Sequence, residues 1–246
     1  MKLTPTSRPE LPLLLAFGAH PDDIEFGCGG VIARETQTGR PAHVVVCSRG
    51  EAATHGTPEQ REEEAGRAAA LLGATLEFVD LGGDARMEAT VGRRLALAAI
   101  IRRVRPGIVL APVPVENQHP DHAVVGRLVR DAARLARYGG VEPLRPAGEP
   151  HAIEHLLFYA ITAETEACGL APVLIDVSAP PVMSAWKAAM EAHASQMKTR
   201  NYVELQLARA RVHGLRAGVE HAIALFPSDP LVIDSLSQLG KSARRF

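Results

Sequence analysis

With 246 residues, 46% of them hydrophobic and 22% charged, the chain is long enough to bury a sizeable core without staples and too apolar to be disordered. A net charge of −1 gives no long-range pull on nucleic acid or an anionic membrane, so neither is expected as a partner and any anionic substrate must be held locally. Cys28, Cys47 and Cys168 lie far apart in no paired motif, which points to small buried thiols rather than a disulfide framework or a thiolate metal site.

In chain order, short apolar runs alternate with amphipathic helical patterns, the signature of repeated βαβ units around a parallel sheet. Residues 1–246 are accordingly read as one α/β domain, a Rossmann-like three-layer sandwich with a mainly parallel sheet. The run Leu11 to Ala19 follows Lys2 and Arg8 and superficially resembles a signal peptide. Cleavage there would leave His20 as the terminus and delete the first strand, so the run is read as a buried strand, Leu13–Gly18, and the cytoplasm as the compartment. Further strands are expected at Ala42–Cys47, Leu76–Asp80 and Ile108–Ala111, with helices near Gly30–Thr38, Pro58–Leu72 and Glu88–Val104 between them. The second helix meets Gly73, a natural C-terminal stop. The Gly- and Pro-rich stretch Gly139–Pro150 reads as a loop, with a flap over the site and a plain connector as its two uses. Strands at His155–Ile161 and Val173–Val177 follow, then helices from Val182 to about Val212, with no internal repeat.

The motifs that carry chemistry fall just past the carboxyl ends of the first and fourth strands, where open α/β sheets place their ligands. The first is His20-Pro21-Asp22-Asp23 and the second His119-Pro120-Asp121-His122. An aspartate after a strand is often only a helix cap. Two His-Pro-Asp motifs, each after an apolar strand-like run, instead point to a split metal site at the strand ends. Imidazoles plus a carboxylate suit divalent zinc with a fourth position open for water. His20 and Asp23 are three residues apart, as are His119 and His122, so one helical turn puts each pair on a common side. The additional carboxylate at Asp22 is placed to act as a general base, and the constellation reads as a hydrolase centre.

On these blocks the chain resembles the zinc-dependent de-N-acetylases of the LmbE-like or PIG-L type. The blocks are Ala19 to Asp23 with Glu25, Gly27, Gly29 and Gly30; Arg49-Gly50-Glu51 through Gly56, Thr57, Arg61 and Glu64; and His119 to His122. The resemblance implies His20, Asp23 and His122 as zinc ligands, Asp22 as general base, and His119 as a second polar group at the reaction centre. It further implies Arg61 as a substrate anchor and Tyr202 as an oxyanion donor, with Glu51 and His55 lining the pocket. The implied cofactor is Zn2+, although a His2Asp set also takes iron or cobalt. The implied activity is removal of the N-acetyl group from a small N-acetylglucosamine conjugate, and the implied assembly is a homo-oligomer, trimer or hexamer. Asn201-Tyr202-Val203-Glu204 and Ala217-Gly218-Val219-Glu220 are similar to the branch that makes bacillithiol, which points to N-acetylglucosaminyl-malate; chitooligosaccharides and N-acetylglucosaminyl-inositol are the alternatives.

Two other classes compete. A nucleotide-binding Rossmann module would want Gly-x-Gly-x-x-Gly, which the glycines at 27, 29 and 30 do not make, and two carboxylates at the strand end would repel a pyrophosphate. A two-metal phosphoesterase would want more carboxylate ligands than the two motifs offer.

Overall fold

The computed structural model describes residues 11–115, 119–167, 169–198, 200–240 and 242. Of the calls above, Cys168 and the segment 1–10 lie outside these residues. The seven strands are β1 (Leu14–Gly18), β2 (Ala42–Val46), β3 (Thr75–Phe78), β4 (Ile108–Pro112), β5 (His155–Tyr159), β6 (Val173–Asp176) and β7 (Ala222–Pro227). They form one sheet in the order β3-β2-β1-β4-β5-β7-β6. All neighbouring pairs are parallel except those of β7, which runs antiparallel to β5 and β6. Among the described residues the α-helices are α1 (Asp23–Gln37), α2 (Pro58–Leu71), α3 (Val91–Val104), α4 (Pro120–Ala136), α5 (Pro180–Glu191) and α6 (Tyr202–Ala217).

The central strand β1 is buried along its whole length, as a strand covered by helices on both faces must be. One apolar layer joins it to α1, α2, α5 and α6 through Ile24, Ala68, Trp186 and Ala210. The other joins it to α3 and α4 through Leu97, Ile101, Val125 and Leu128. The result is the expected three-layer α/β sandwich. From β1 the chain winds outward through β2 to β3, then α3 carries it back to β4 on the other side of β1. The carboxyl ends of β1 and β4 therefore flank a switch point, the crevice where sheets of this kind bind ligands.

Several elements differ from the expected ones. Helix α1 starts at Asp23 rather than Gly30 and carries Gly27, Gly29 and Gly30 in its interior. These glycines lower helix propensity, but the helix needs them because α1 lies against large side chains. A Cβ at Gly27 would stand 2.1 Å from a ring carbon of Tyr159. That tyrosine is fully buried and donates its hydroxyl to Phe17 O at 2.7 Å, and Trp186 Nε1 donates to Glu25 O at 2.8 Å, so neither ring can retreat. The expected helical stretch from Val182 to Val212 is broken into α5, a short 3-10 turn over Ala194–Lys198, and α6. Helix α4 and strand β7 were not anticipated.

The flap reading of Gly139–Pro150 is overturned. This stretch holds a 3-10 turn, Glu142–Ala147, tied down by buried Arg102 near the end of α3. Its guanidinium donates to the carbonyls of Ala136, Tyr138, Leu144 and Gly148 at 2.7–3.2 Å. Arg102 precedes β4 and Ala136 ends α4, so the loop sits at the end of the sheet opposite the His-Pro-Asp motifs. No described helix is long and apolar enough to cross a membrane.

Candidate metal centre and its cleft

Asp22 bridges β1 to α1 in a left-handed conformation, φ 111°, and caps the helix without a side-chain hydrogen bond. For a non-glycine residue this is strain, of order 1–3 kcal/mol, which persists where the surroundings over-determine it. Here it turns Asp22 and Asp23 in different directions. Asp23 Oδ2 accepts the backbone N–H groups of Ala19 and His20 at 2.8 and 2.9 Å, which leaves Oδ1 to meet His122 Nε2 at 3.0 Å. His119 caps α4, Pro120 opens its first turn, and His122 follows one turn later.

His20, Asp23 and His122 converge as a donor set. His20 Nδ1 lies 3.2 Å from His122 Nε2, which lies 3.0 Å from the free Oδ1 of Asp23. Tetrahedral ligands about 2.0–2.1 Å from an ion stand about 3.3 Å apart, so these separations fit a single divalent cation. All three residues are buried. Burial alone would lower the basicity of His20, yet Asp23, Asp121 and Asp84 around it hold its pKa well above the usual imidazole value. Burial would likewise raise Asp23, but His122 and His20 keep it well below the usual carboxylate range. Such a cluster balances its carboxylates with a cation, a proton or a metal.

The other nitrogen of His20 faces two carboxylates, Asp84 Oδ1 at 3.0 Å and Asp121 Oδ2 at 3.3 Å. Four residues, His20, Asp84, His119 and Asp121, also gather their ligand atoms closely enough to suggest a second ion. The arrangement fits better as the carboxylate–histidine–metal pattern, in which an outer carboxylate accepts the far N–H of a ligating imidazole and fixes its tautomer. One imidazole ring would otherwise have to bridge two cations. The carboxylates are themselves anchored, Asp84 by Ala52 N at 3.2 Å and Asp121 by Ala85 N at 2.7 Å. Asp84 was missed in the sequence, where it is a lone aspartate in a Gly-Gly loop with the look of a turn residue.

Asp22 opens onto a cleft of about 370 Å³ whose wall also includes His119, Arg61 and Tyr202. Its pKa is pushed up to about 6, because burial outweighs the opposing charge of Arg61, whose Nη2 lies 3.3 Å away. His119 is half-buried and, by burial and the neighbouring charge of His20, less basic than an ordinary histidine. Tyr202 opens α6, with its ring 5.5 Å from that of Phe26.

The structure thus gathers seven of the nine expected site residues around one cleft. Glu51 and His55 are not part of its wall. Glu51 is turned to the backbone N–H groups of Arg49 and Asp84 at 3.1 and 3.0 Å, so it braces the loop that carries Asp84. His55 offers its carbonyl to Gln196 Nε2 at 2.8 Å and so ties the Glu51 to Gly56 loop to the 3-10 turn. Arg61 is also not a free anchor. It is buried, donates through Nη2 to Pro21 O at 2.6 Å and through Nη1 to Gly50 O at 3.3 Å, and pairs with Asp22. It braces the Asp22 carboxylate rather than standing open to a ligand.

The sequence profile described as GlcNAc-PI de-N-acetylase, PIG-L, matches residues 15–133, the span from β1 through most of α4 that supplies both His-Pro-Asp motifs. A crystal structure of a conserved protein from Thermus thermophilus superposes with a TM-score of 0.79 at 33% identity, covering 93% of this chain and 100% of that one. The chain belongs to the PIG-L family. It is similar to diacetylchitobiose deacetylase of Thermococcus kodakarensis, 32% identical over 159 residues, or 59% of each protein. It is also similar to 4-oxalmesaconate hydratase of Pseudomonas putida, 33% identical over 141 residues, 52% of this chain and 54% of that protein. The matched stretches thus span little more than half the length of these two relatives.

Proposed function

We propose that this protein is a metal-dependent hydrolase that removes the N-acetyl group from an N-acetylglucosamine conjugate, releasing acetate and a free amino sugar. The observation that carries the reading is the joining of a His20, Asp23, His122 donor set to a separate carboxylate, Asp22, at the mouth of a sugar-sized cleft. His20, Asp23 and His122 would hold the metal, Zn2+ being the ion their geometry suits. A divalent ion there acidifies water and polarises an amide carbonyl.

The rest falls to the protein's own side chains. Asp22, with a pKa of about 6, is mostly ionised near neutrality and basic enough to take a proton as water adds to the acetyl carbon. Arg61 fixes that carboxylate through Nη2, 3.3 Å away. The oxygen of the former carbonyl gains negative charge as the carbon becomes tetrahedral, and a donor from Tyr202 or His119 lowers that barrier by a few kcal/mol. As the C–N bond breaks, the proton goes to the nitrogen from Asp22 or from His119, because an amine leaves poorly unless protonated. The C-terminal resemblance supports N-acetylglucosaminyl-malate as substrate, and the chitobiose deacetylase relative supports a neutral saccharide.

The hydratase relative gives a second reaction class, water added to a carbon–carbon double bond with no amine released. The two readings separate in one experiment. Purified, zinc-loaded protein is incubated with diacetylchitobiose, N-acetylglucosamine, N-acetylglucosaminyl-malate and 4-oxalmesaconate, with free amine, acetate and hydration product measured. Amine and acetate in equal amounts from an N-acetyl sugar are expected; turnover of 4-oxalmesaconate alone would overturn the proposal.

A further inference from the structure

The inward face of α6 is polar where a packed helix is ordinarily apolar. Gln206, Arg209, Ala210 and His213 fall at helical spacing on one side of it, the side that meets β7 and Trp186 of α5. Between these elements lies a cavity of about 10 Å³, and Gln206 belongs both to its lining and to the wall of the catalytic cleft. A space of that size holds one water molecule, provided two to four polar groups face it.

Three polar atoms of the residues around this cavity are sealed from solvent and have no protein partner among the described residues: Arg209 Nη1, Gln206 Oε1 and His213 Nδ1. Arg209 and His213 line the cavity and not the cleft. Gln206 and His213 are 2% and 3% exposed, so a bare polar atom on either is costly. The other arms of all three side chains are committed. Arg209 Nη2 donates to Ala160 O at 2.8 Å, Gln206 Nε2 donates to Ile161 O at 2.9 Å, and His213 Nε2 lies 2.7 Å from Glu166 Oε1. Those bonds set the polarity of what remains. Burial works against an ionised Glu166, but the bond from His213 and the charges of Arg209 and Arg216 hold its pKa below the usual carboxylate value. A carboxylate only accepts, so His213 carries its proton on Nε2 and offers a lone pair at Nδ1. The three atoms are therefore one donor, Arg209 Nη1, and two acceptors.

We propose that this cavity is a site for a single water molecule, which accepts from Arg209 Nη1 and donates to Gln206 Oε1 and His213 Nδ1. Water has that valence. An inorganic anion could take the guanidinium bond but would face two lone pairs, and a metal ion would face the arginine charge. The water joins the three side chains that fasten α6 to the backbone beyond β5 and to Glu166. Tyr202 opens the same helix in the cleft wall, so the site is an internal clasp for that wall.

A crystal structure of the zinc-loaded protein, with a second crystal soaked in bromide, tests the assignment. A density peak about 2.7–3.2 Å from all three atoms, with no anomalous signal there in the bromide crystal, is expected. Bromide in the cavity, or no peak within reach of the three atoms, overturns it. In solution, nitrogen-15 NMR should show His213 protonated on Nε2 and bare at Nδ1 near neutral pH; a proton on Nδ1 overturns the donor and acceptor scheme. The His213→Leu variant removes one acceptor and should speed hydrogen exchange of the α6 amides about tenfold or more, with exchange in α4 unchanged. Unchanged exchange in α6 would show that the water fastens nothing. If that variant does not fold, the density and the imidazole tautomer of the unaltered protein still decide.

Discussion

Replacing Asp84 by asparagine tests whether the outer carboxylates tune the metal or bind one. Asp84 Oδ1 is 3.0 Å from His20 Nε2 and Asp121 Oδ2 is 3.3 Å from the same nitrogen, so the two share one N–H. A hydrogen bond to a charged group is worth about 1.5–3 kcal/mol, and each 1.4 kcal/mol is about tenfold in affinity. Because Asp121 remains, Asp84→Asn should sit at the low end, weakening zinc binding about tenfold, and the double variant with Asp121→Asn about 100-fold, within the range for outer partners of metal-bound histidines. Asparagine is nearly isosteric, so its amide oxygen can keep the 3.2 Å bond from Ala52 N that anchors the loop. The assay is competition for zinc against a chelator of known affinity, with kcat measured at saturating metal. An unchanged zinc Kd would refute the assignment, and so would a wild-type protein that binds two ions where Asp84→Asn binds one.

Other outcomes follow from neighbouring features. Asp22→Asn should retain zinc and lose about 10²- to 10⁴-fold in kcat, while Asp23→Ala should lose the metal itself; metal analysis alongside turnover separates them, and full activity in Asp22→Asn would remove it as the base. His193 is fully buried with Nε2 3.4 Å from Glu25 Oε2, and despite burial its pKa is raised by Glu25 and by the more distant Asp22 and Glu64. Its charged form therefore adds stability that is complete below its unfolded pKa of about 6.5 and is lost as pH rises through the higher folded value. In urea unfolding, the gap between wild type and His193→Gln should be wide at pH 5.5 and close at alkaline pH. Gly27→Ala should destabilise by about 1–3 kcal/mol, because its Cβ would meet Tyr159 at 2.1 Å; a wild-type midpoint in the same unfolding experiment would show that α1 can move away from β5.

Much of this site was legible because each half of the donor set lies in a short motif of its own, and because apolar runs placed those motifs at strand ends. Asp84 was not, since its role exists only where the loop after β3 reaches His20 across the crevice. Arg61 stands in the cleft wall, but its engagement was not legible, because two of its partners are the carbonyls of Pro21 and Gly50, and main-chain acceptors leave no trace in residue identity. The start of α1 was hidden for a related reason. Gly27, Gly29 and Gly30 argue locally against a helix, and only the tertiary positions of Tyr159 and Trp186 account for them. For the Gly139–Pro150 stretch composition left a flap and a plain connector both open, and only Arg102, holding four carbonyls at the far end of the sheet, decides for the connector.

The measurement that goes most directly to the central claim is a titration of metal-free protein with zinc while acetate release from diacetylchitobiose is followed. Turnover should be negligible without metal, rise in proportion to added zinc and break at one equivalent per chain. Activity that is indifferent to zinc, or that begins only after a second equivalent is bound, would contradict the account.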